Sequence, residues 1–329
     1  MKQALLSLLV AVGMIGSAAA QIYSSDTFGT GDNQFAIDFV SVGNPGNSAN
    51  PLTGYGSVSY EFRMGKYVIS ENKVLAATAN GLQGVPAGGW TAGQPAGSKS
   101  WYQAAAFVNW LNTSKGFTPA YNQSWNGSAY TMNLWQPGDS GYDANNAFRN
   151  SLAHYFLPNE NEWHKAAFGK RDGPGYWLYA TASDTVPTGV AGGITANTIV
   201  VNNPWEQTPA NVEESGGLSD YGTMGQTGNA FQWLESAVDG MNNSPTEERT
   251  TGSIGYWYYI NGTANPFDVG PEGVSSTYRW STAPDNVAYP YMSFRVASVP
   301  EPSTYALLLL SGASSLWVLK RRKGTSNSL

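Results

Sequence analysis

The sequence predicts an α+β fold with little regular structure, in one domain. Three observations lead there: two strand-like apolar runs bounded by Gly, Asn and Pro, two helix starts marked by capping residues, and a remainder from Gly173 to Val299 rich in Gly, Asn, Thr and aromatic residues. No repeat at a fixed period and no long linker divides Gln21 to Val299, so a single unit is the simplest organisation.

The first run, Phe35 to Val42, and the second, Val58 to Ile69, have the β-branched and aromatic content of strands, and the turn-rich stretch Gly43 to Gly56 separates them. Ser100 with Gln103 forms a capping box, in which the serine and glutamine side chains each satisfy a free backbone N–H at a helix start. Trp101, Ala104, Ala105, Val108 and Leu111 follow at helical spacing until Gly116. Asn159 with Glu162 repeats the device, and Trp163, Ala166 and Ala167 supply an apolar face that ends at Gly169. Beyond Gly173 the pattern predicts loops pinned by buried rings.

Composition narrows the chemistry. The 329 residues include no cysteine, which excludes a disulfide scaffold, a Cys-ligated zinc or iron–sulfur site and a cysteine nucleophile. Charged residues make up 12%, against about 25% in ordinary soluble domains, so the surface must be covered by uncharged polar groups and aromatic hydroxyls. With Lys+Arg at 17 and Asp+Glu at 23 there is no basic excess to neutralise phosphates, which argues against a nucleic-acid partner.

Both ends read as addresses. Residues 1–20 carry Lys2, an apolar run from Ala4 to Ile15 and small residues up to Ala20, the order of a secretory signal peptide cut between Ala20 and Gln21. Residues 299–323 carry Pro300, Glu301 and Pro302, an apolar segment at 305–319 read as a short transmembrane helix, and Lys320-Arg321-Arg322-Lys323, which would stay cytoplasmic. Five basic residues and one acidic residue lie in these ends, leaving 12 and 22 between Gln21 and Val299, a net charge of −10. The exported part is acidic.

The tail resembles a PEP-CTERM sorting signal, found on exported proteins of exopolysaccharide-producing Gram-negative bacteria. That resemblance implies anchoring in the inner membrane with the domain outside the cytoplasm, processing by an exosortase as partner, and delivery to the cell envelope or extracellular matrix.

A second resemblance runs through residues 35–298, behind an N-terminal segment 21–34. Met64-Gly65-Lys66-Tyr67, Ser100-Trp101-Tyr102-Gln103, Phe156-Leu157-Pro158-Asn159-Glu160-Asn161-Glu162-Trp163, Gly228-Asn229-Ala230-Phe231-Gln232-Trp233 and Ser293-Phe294-Arg295-Val296 occur in the order seen in formylglycine-generating-enzyme-like (sulfatase-modifying factor) domains. The resemblance implies a C-type-lectin-like, loop-rich fold. In active members two cysteines bind copper; here their places hold Val274-Ser275-Ser276 and Tyr278-Arg279-Trp280-Ser281. Serine and tryptophan cannot supply the thiolates of a soft copper site, so the reading is a domain without catalytic residues that acts as a binding or structural component of the surface or matrix. The competing class is an oxidoreductase-like enzyme of the same family using a non-cysteine site.

The related sulfoxide synthases bind iron through three histidines, whereas this chain has two, His154 and His164. Family members bind calcium through a Gly-Asn-x-x-Glu-Trp segment, which points to Asn229 and Gln232, although glutamine lacks the charge that dominates calcium affinity. Asn202, Asn203 and Glu206 resemble a second calcium loop at a divergent spacing. Paired glutamates such as Glu160 and Glu162 stand in no recognisable glycosidase context. The remaining lead is aromatic: the clusters Tyr256-Trp257-Tyr258-Tyr259 and Tyr289-Pro290-Tyr291, with Trp257, Tyr259 and Trp280 as the candidate rings, could stack on sugars of an extracellular polysaccharide.

The exported protein is expected to begin at Gln21, as N-terminal sequencing would read. Replacing Pro300, Glu301 and Pro302 by alanine should leave the tail attached, seen as a higher intact mass than wild type; identical masses would reject sorting-signal processing.

Overall fold

The computed structural model describes residues 23–203, 207–261, 266–287 and 289–300. The signal peptide with Ala20 and Gln21, the tail residues Glu301 and Pro302, the segment 305–319 and Glu206 lie outside the described residues. Among the described residues no helix is long and apolar enough to cross a membrane.

Strand β1 (Tyr23–Phe28) pairs antiparallel with β2 (Phe35–Val42), so the segment ahead of Phe35 contributes to the first sheet. β2 matches the first predicted run. The second run is cut short: β3 spans only Phe62–Gly65. At its end the Gly65 N–H donates to Val296 O at 2.7 Å and the Lys66 N–H to Asp38 O, which ties this end to the strands on either side. A side chain at Gly65 would place its Cβ 2.9 Å from Val296 O, so this close approach needs glycine.

Helix α1 (Glu71–Ala79) has no counterpart in the sequence reading. Its opening N–H groups are satisfied by carbonyls of a distant loop, Gln94 and Ala92, rather than by a side-chain cap. Helix α2 (Trp101–Ser114) begins with the predicted box: Gln103 N donates to Ser100 Oγ at 3.2 Å and Ser100 N to Gln103 Oε1 at 3.1 Å. Its apolar face, including Trp101 and Leu111, is buried. After the hairpin β4 (Asn122–Trp125) and β5 (Tyr130–Asn133) and the short β6 (Tyr155–Phe156), helix α3 (Glu160–Phe168) carries the second box. There Glu162 N donates to Asn159 Oδ1 at 2.8 Å and Asn159 N to Glu162 Oε2 at 2.7 Å.

The rest is loop-rich, as predicted. Short strands β7 (Thr188–Val190) and β8 (Thr198–Val200) pair in parallel, and β9 (Phe231–Ala237), β10 (Arg249–Gly252), β11 (Trp280–Thr282) and β12 (Met292–Phe294) form a second sheet in the order β11-β10-β9-β12. The final strand β13 (Ala297–Ser298) returns to the first sheet, whose order is β1-β2-β3-β13-β6. Mostly β, with three α-helices among the described residues, the chain forms a single domain.

Two residues separate β12 from β13, so the chain leaves one sheet and joins the other across Arg295. This side chain is fully buried. Its guanidinium donates to Gly65 O and Met224 O, each at 2.6 Å, and to Gln232 Oε1 at 3.2 Å. Arg295→Met would leave two buried carbonyls unpaired, since Gln232 Oε1 keeps its bond from Trp163 Nε1, and at about 1–3 kcal/mol for each such group, partly offset by removing a buried charge, a loss of about 1–4 kcal/mol is expected. Urea denaturation checks this; unchanged stability would refute the bridging role.

Candidate functional site

The positions where the family resemblance puts its copper ligands are occupied by structural groups. Val274 and Ser276 are buried, and the Ser276 N–H donates to Leu178 O at 2.9 Å. Arg279 turns toward α3, where it pairs with Glu160, lies 3.0 Å from His164 Nδ1 and stacks over the Tyr55 ring at 4.7 Å. No thiolate can be presented here, so the residues do not fit copper, and no chemistry through it follows.

Nor do the two histidines share a site. His164 is fully buried, with Nε2 lying 3.1 Å from the Asn50 amide and Nδ1 facing Arg279. Burial first, and the neighbouring guanidinium second, push its pKa down to about 3, so the ring is neutral at ordinary pH. His154 belongs to another cluster, 3.2 Å from Arg63 Nη2 and stacked on Phe117. Among the described residues no three His, Asp or Glu side chains group as a metal site would require.

The calcium reading meets a specific obstacle. Gln232 Oε1 accepts from Trp163 Nε1 at 3.1 Å and from Arg295 Nε at 3.2 Å, so a cation there would displace a guanidinium contact. Asn229, buried at a left-handed φ of 67°, spends its side chain on the backbone: Oδ1 accepts from Ala210 N at 2.8 Å, and Nδ2 donates to Ala210 O and Ser215 Oγ. Both amides pin loops. The residues present do not fit a calcium ion.

The aromatic lead divides. Trp257 is 2% exposed and packs its ring 3.8 Å from that of Tyr291, which makes it core rather than a sugar platform. Tyr259 is half-buried and its backbone pairs with Phe267 and Val269; its ring joins no cluster among the described residues. Trp280 does occupy a shared surface. The ladder pairs it with Thr251 on β10, and its half-buried ring packs 5.0 Å from Phe231 on β9 and 5.7 Å from Tyr289.

Phe231 is the floor of this surface, with Tyr258 at 5.9 Å and Tyr291 at 5.6 Å around it, while Tyr289 stacks on Tyr291 at 5.3 Å. Burial raises the Tyr278 hydroxyl to about 12, with the nearby Tyr258 adding to it; Tyr258 is raised by burial and by Tyr289. Tyr258 and Tyr278 therefore keep their protons at any physiological pH. None of the Tyr258, Tyr278 and Tyr289 hydroxyls has a hydrogen-bond partner among the described residues, so each remains able to donate and accept. The sequence reading named the clusters Tyr256–Tyr259 and Tyr289–Tyr291 beside Trp280; the structure gathers Tyr258, Tyr291 and Trp280 around Phe231, with Tyr289 against Trp280 and Tyr291, and it is the part of Phe231 as their floor that the sequence did not announce.

The paired glutamates also resolve. Glu162 and Glu235 flank Arg149, whose guanidinium contacts both at 2.8–3.0 Å. Tyr121 and Asn146 donate further to Glu235, and Tyr60 to Glu162. With their oxygens held by donors, these carboxylates serve as a buried polar knot rather than an acid/base pair.

With this geometry in place, comparison with solved structures identifies the architecture. The chain resembles CarF at 18% identity and a TM-score of 0.53, over 80% of this chain and 99% of that one. It resembles Treponema denticola variable protein 1 at 17% identity and a TM-score of 0.52, over 85% of this chain and 100% of that one. At such identities the likeness establishes the fold alone, and it supports the formylglycine-generating-enzyme-like fold that the sequence motifs imply. No protein-family model matches the sequence. No curated protein matches it either.

His164 generates a pH prediction. Its folded pKa of about 3 lies below the ordinary value of 6.5, so between those values the unfolded chain binds the extra proton and stability falls as the medium is acidified. One such group contributes a slope of about 1.4 kcal/mol per pH unit in that window. Urea unfolding across the window should show a shallower acid limb for His164→Gln than for wild type; parallel limbs would contradict the buried neutral ring.

Proposed function

We propose that this protein is an exported, envelope-sorted binding component on a C-type-lectin-like scaffold, without the copper chemistry of the enzymes it resembles, and that it binds an extracellular polysaccharide. The observation that carries the reading is the half-buried aromatic surface of Tyr258, Tyr278, Trp280, Tyr289 and Tyr291, with three hydroxyls that bond to none of the described residues. Ring faces stack on the apolar faces of sugars while the hydroxyls bond to sugar hydroxyls, and together they recognise an uncharged glycan without any ionic group.

The surface lies at the stretch where the resemblance puts the lost copper ligands. The region that would hold a catalytic centre is thereby left as a recognition surface. Export and delivery to the envelope rest on the two terminal signals, with an exosortase as the sorting partner and the inner membrane as the transient anchor. The acidic balance between Gln21 and Val299 supports a partner other than nucleic acid or anionic lipid.

A glycan array followed by calorimetry with the producing organism's own polysaccharide tests the reading. Trp280→Ala is expected to weaken binding at least tenfold. Tyr289→Phe, which keeps the ring and removes the hydroxyl, should weaken it several-fold with an unchanged melting temperature. Wild-type protein that binds no glycan, or variants that bind as wild type does, would reject the proposal.

A further inference from the structure

A cleft of about 570 Å³ opens beside the C-terminal end of α3, between the Asn44–Ser48 loop and the turn at Gly173–Tyr176. It shares no residue with the aromatic surface. Three of the 12 basic residues between Gln21 and Val299 line it, Lys165, Lys170 and Arg171, against one carboxylate, Asp172. In a chain segment of net charge −10 this concentration of cations is unexpected.

Lys165 is the informative member. It is 1% exposed, and among the described residues its ammonium makes one hydrogen bond, to Asn44 O at 2.8 Å. An ammonium carries three donors, and no carboxylate lies within ion-pair distance of this one among the described residues. Burying a cation without a counter-charge is costly, so such a group at a cleft wall calls for an anion. Burial accordingly pulls its pKa down to about 8, while Glu61 acts in the opposite direction.

The other cations are not committed to strong pairs. Lys170 lies over the Trp177 ring at 4.3 Å, and among the described residues the Arg171 guanidinium pairs only with the exposed Asp172, at 3.9 Å. Asp220 already accepts from Arg171 N and Trp177 Nε1. A second cleft, of about 330 Å³ beside Tyr60, lacks this feature, because its cation Arg149 is held by Glu162 and Glu235.

We propose that the cleft binds the carboxylate of a uronic-acid saccharide, with Lys165, Lys170 and Arg171 as the anion's partners. Its volume falls within the ~300–1,000 Å³ of small-molecule sites, far beyond the ~30 Å³ that one water or small ion occupies. The half-buried Tyr176 supplies ring surface on its wall, held there by the Asn47 amide, and the exposed Ser48 supplies a hydroxyl for sugar groups. The site extends the proposed binding role to acidic glycans, yet it stands or falls separately from the aromatic surface.

Calorimetry on the exported chain, with a galacturonic-acid disaccharide, the neutral galactose disaccharide and inorganic phosphate, tests this. The uronate should bind at least tenfold more tightly than either of the others, and its amide NMR shifts should concentrate at Gly173–Tyr176. Lys165→Met and the double variant Lys170→Ala, Arg171→Ala should each weaken uronate binding at least fivefold, while Trp280→Ala leaves it unchanged. The double variant replaces half-buried side chains and carries the test if Lys165→Met does not fold. Equal affinity for the charged and neutral disaccharides, phosphate binding as tight as uronate binding, or a folded double variant with wild-type affinity would overturn the proposal.

Discussion

The Arg295 guanidinium sits where the chain crosses from the second sheet to the first, donating to a carbonyl beside β3, to the Met224 carbonyl and to the Gln232 amide on β9. No carboxylate stands within ion-pair distance of it among the described residues. The charge is held by oriented dipoles alone, which works only if three separate segments keep their places to within hydrogen-bond distance. That requirement couples the two sheets, because a shift of either leaves a desolvated cation without acceptors. It also explains why Gly65 is glycine: the neighbouring carbonyl of Val296 approaches too closely for a Cβ.

Other buried polar groups repeat the arrangement at different junctions. Arg149 joins Glu162 on α3 to Glu235 on β9, and Arg249 donates to the Glu235 carbonyl and to Asn242 while its guanidinium lies over the Phe148 ring at 3.8 Å. In a chain with few long regular elements, ladder hydrogen bonds cannot position the loops. Buried arginines and asparagines do so through fixed, directional contacts, and large rings fill the space between them. Low overall charge and dense aromatics are the compositional trace of this construction.

Local signals were therefore legible and long-range ones were not. β2 and both capping boxes could be read because each depends on residues within a few positions of one another. α1 could not, since its first N–H groups find carbonyls about 20 residues away. The Gly228–Trp233 segment was recognised, but Gln232 faces Arg295, 63 positions distant, and that partner decides its role. Of four consecutive aromatics, Tyr256 and Trp257 turn inward while Tyr258 and Tyr259 stay half-exposed. They lie in a turn, where no period of two or 3.6 announces the facing.

The same separation bears on how such a fold can part with a reaction. The groups that hold the sheets together, Arg295, Arg149 and the two capped helices, are distinct from Val274–Ser276 and Trp280, where the resemblance puts the copper ligands. The residues at those positions can thus vary without touching the polar scaffold, and the large ring of Trp280 adds packing against Phe231. A metal centre has to keep one side open for substrate. The half-buried rings at this edge of the second sheet are held by the core beneath them, through Phe231 and Tyr291, so their positions do not depend on a bound metal.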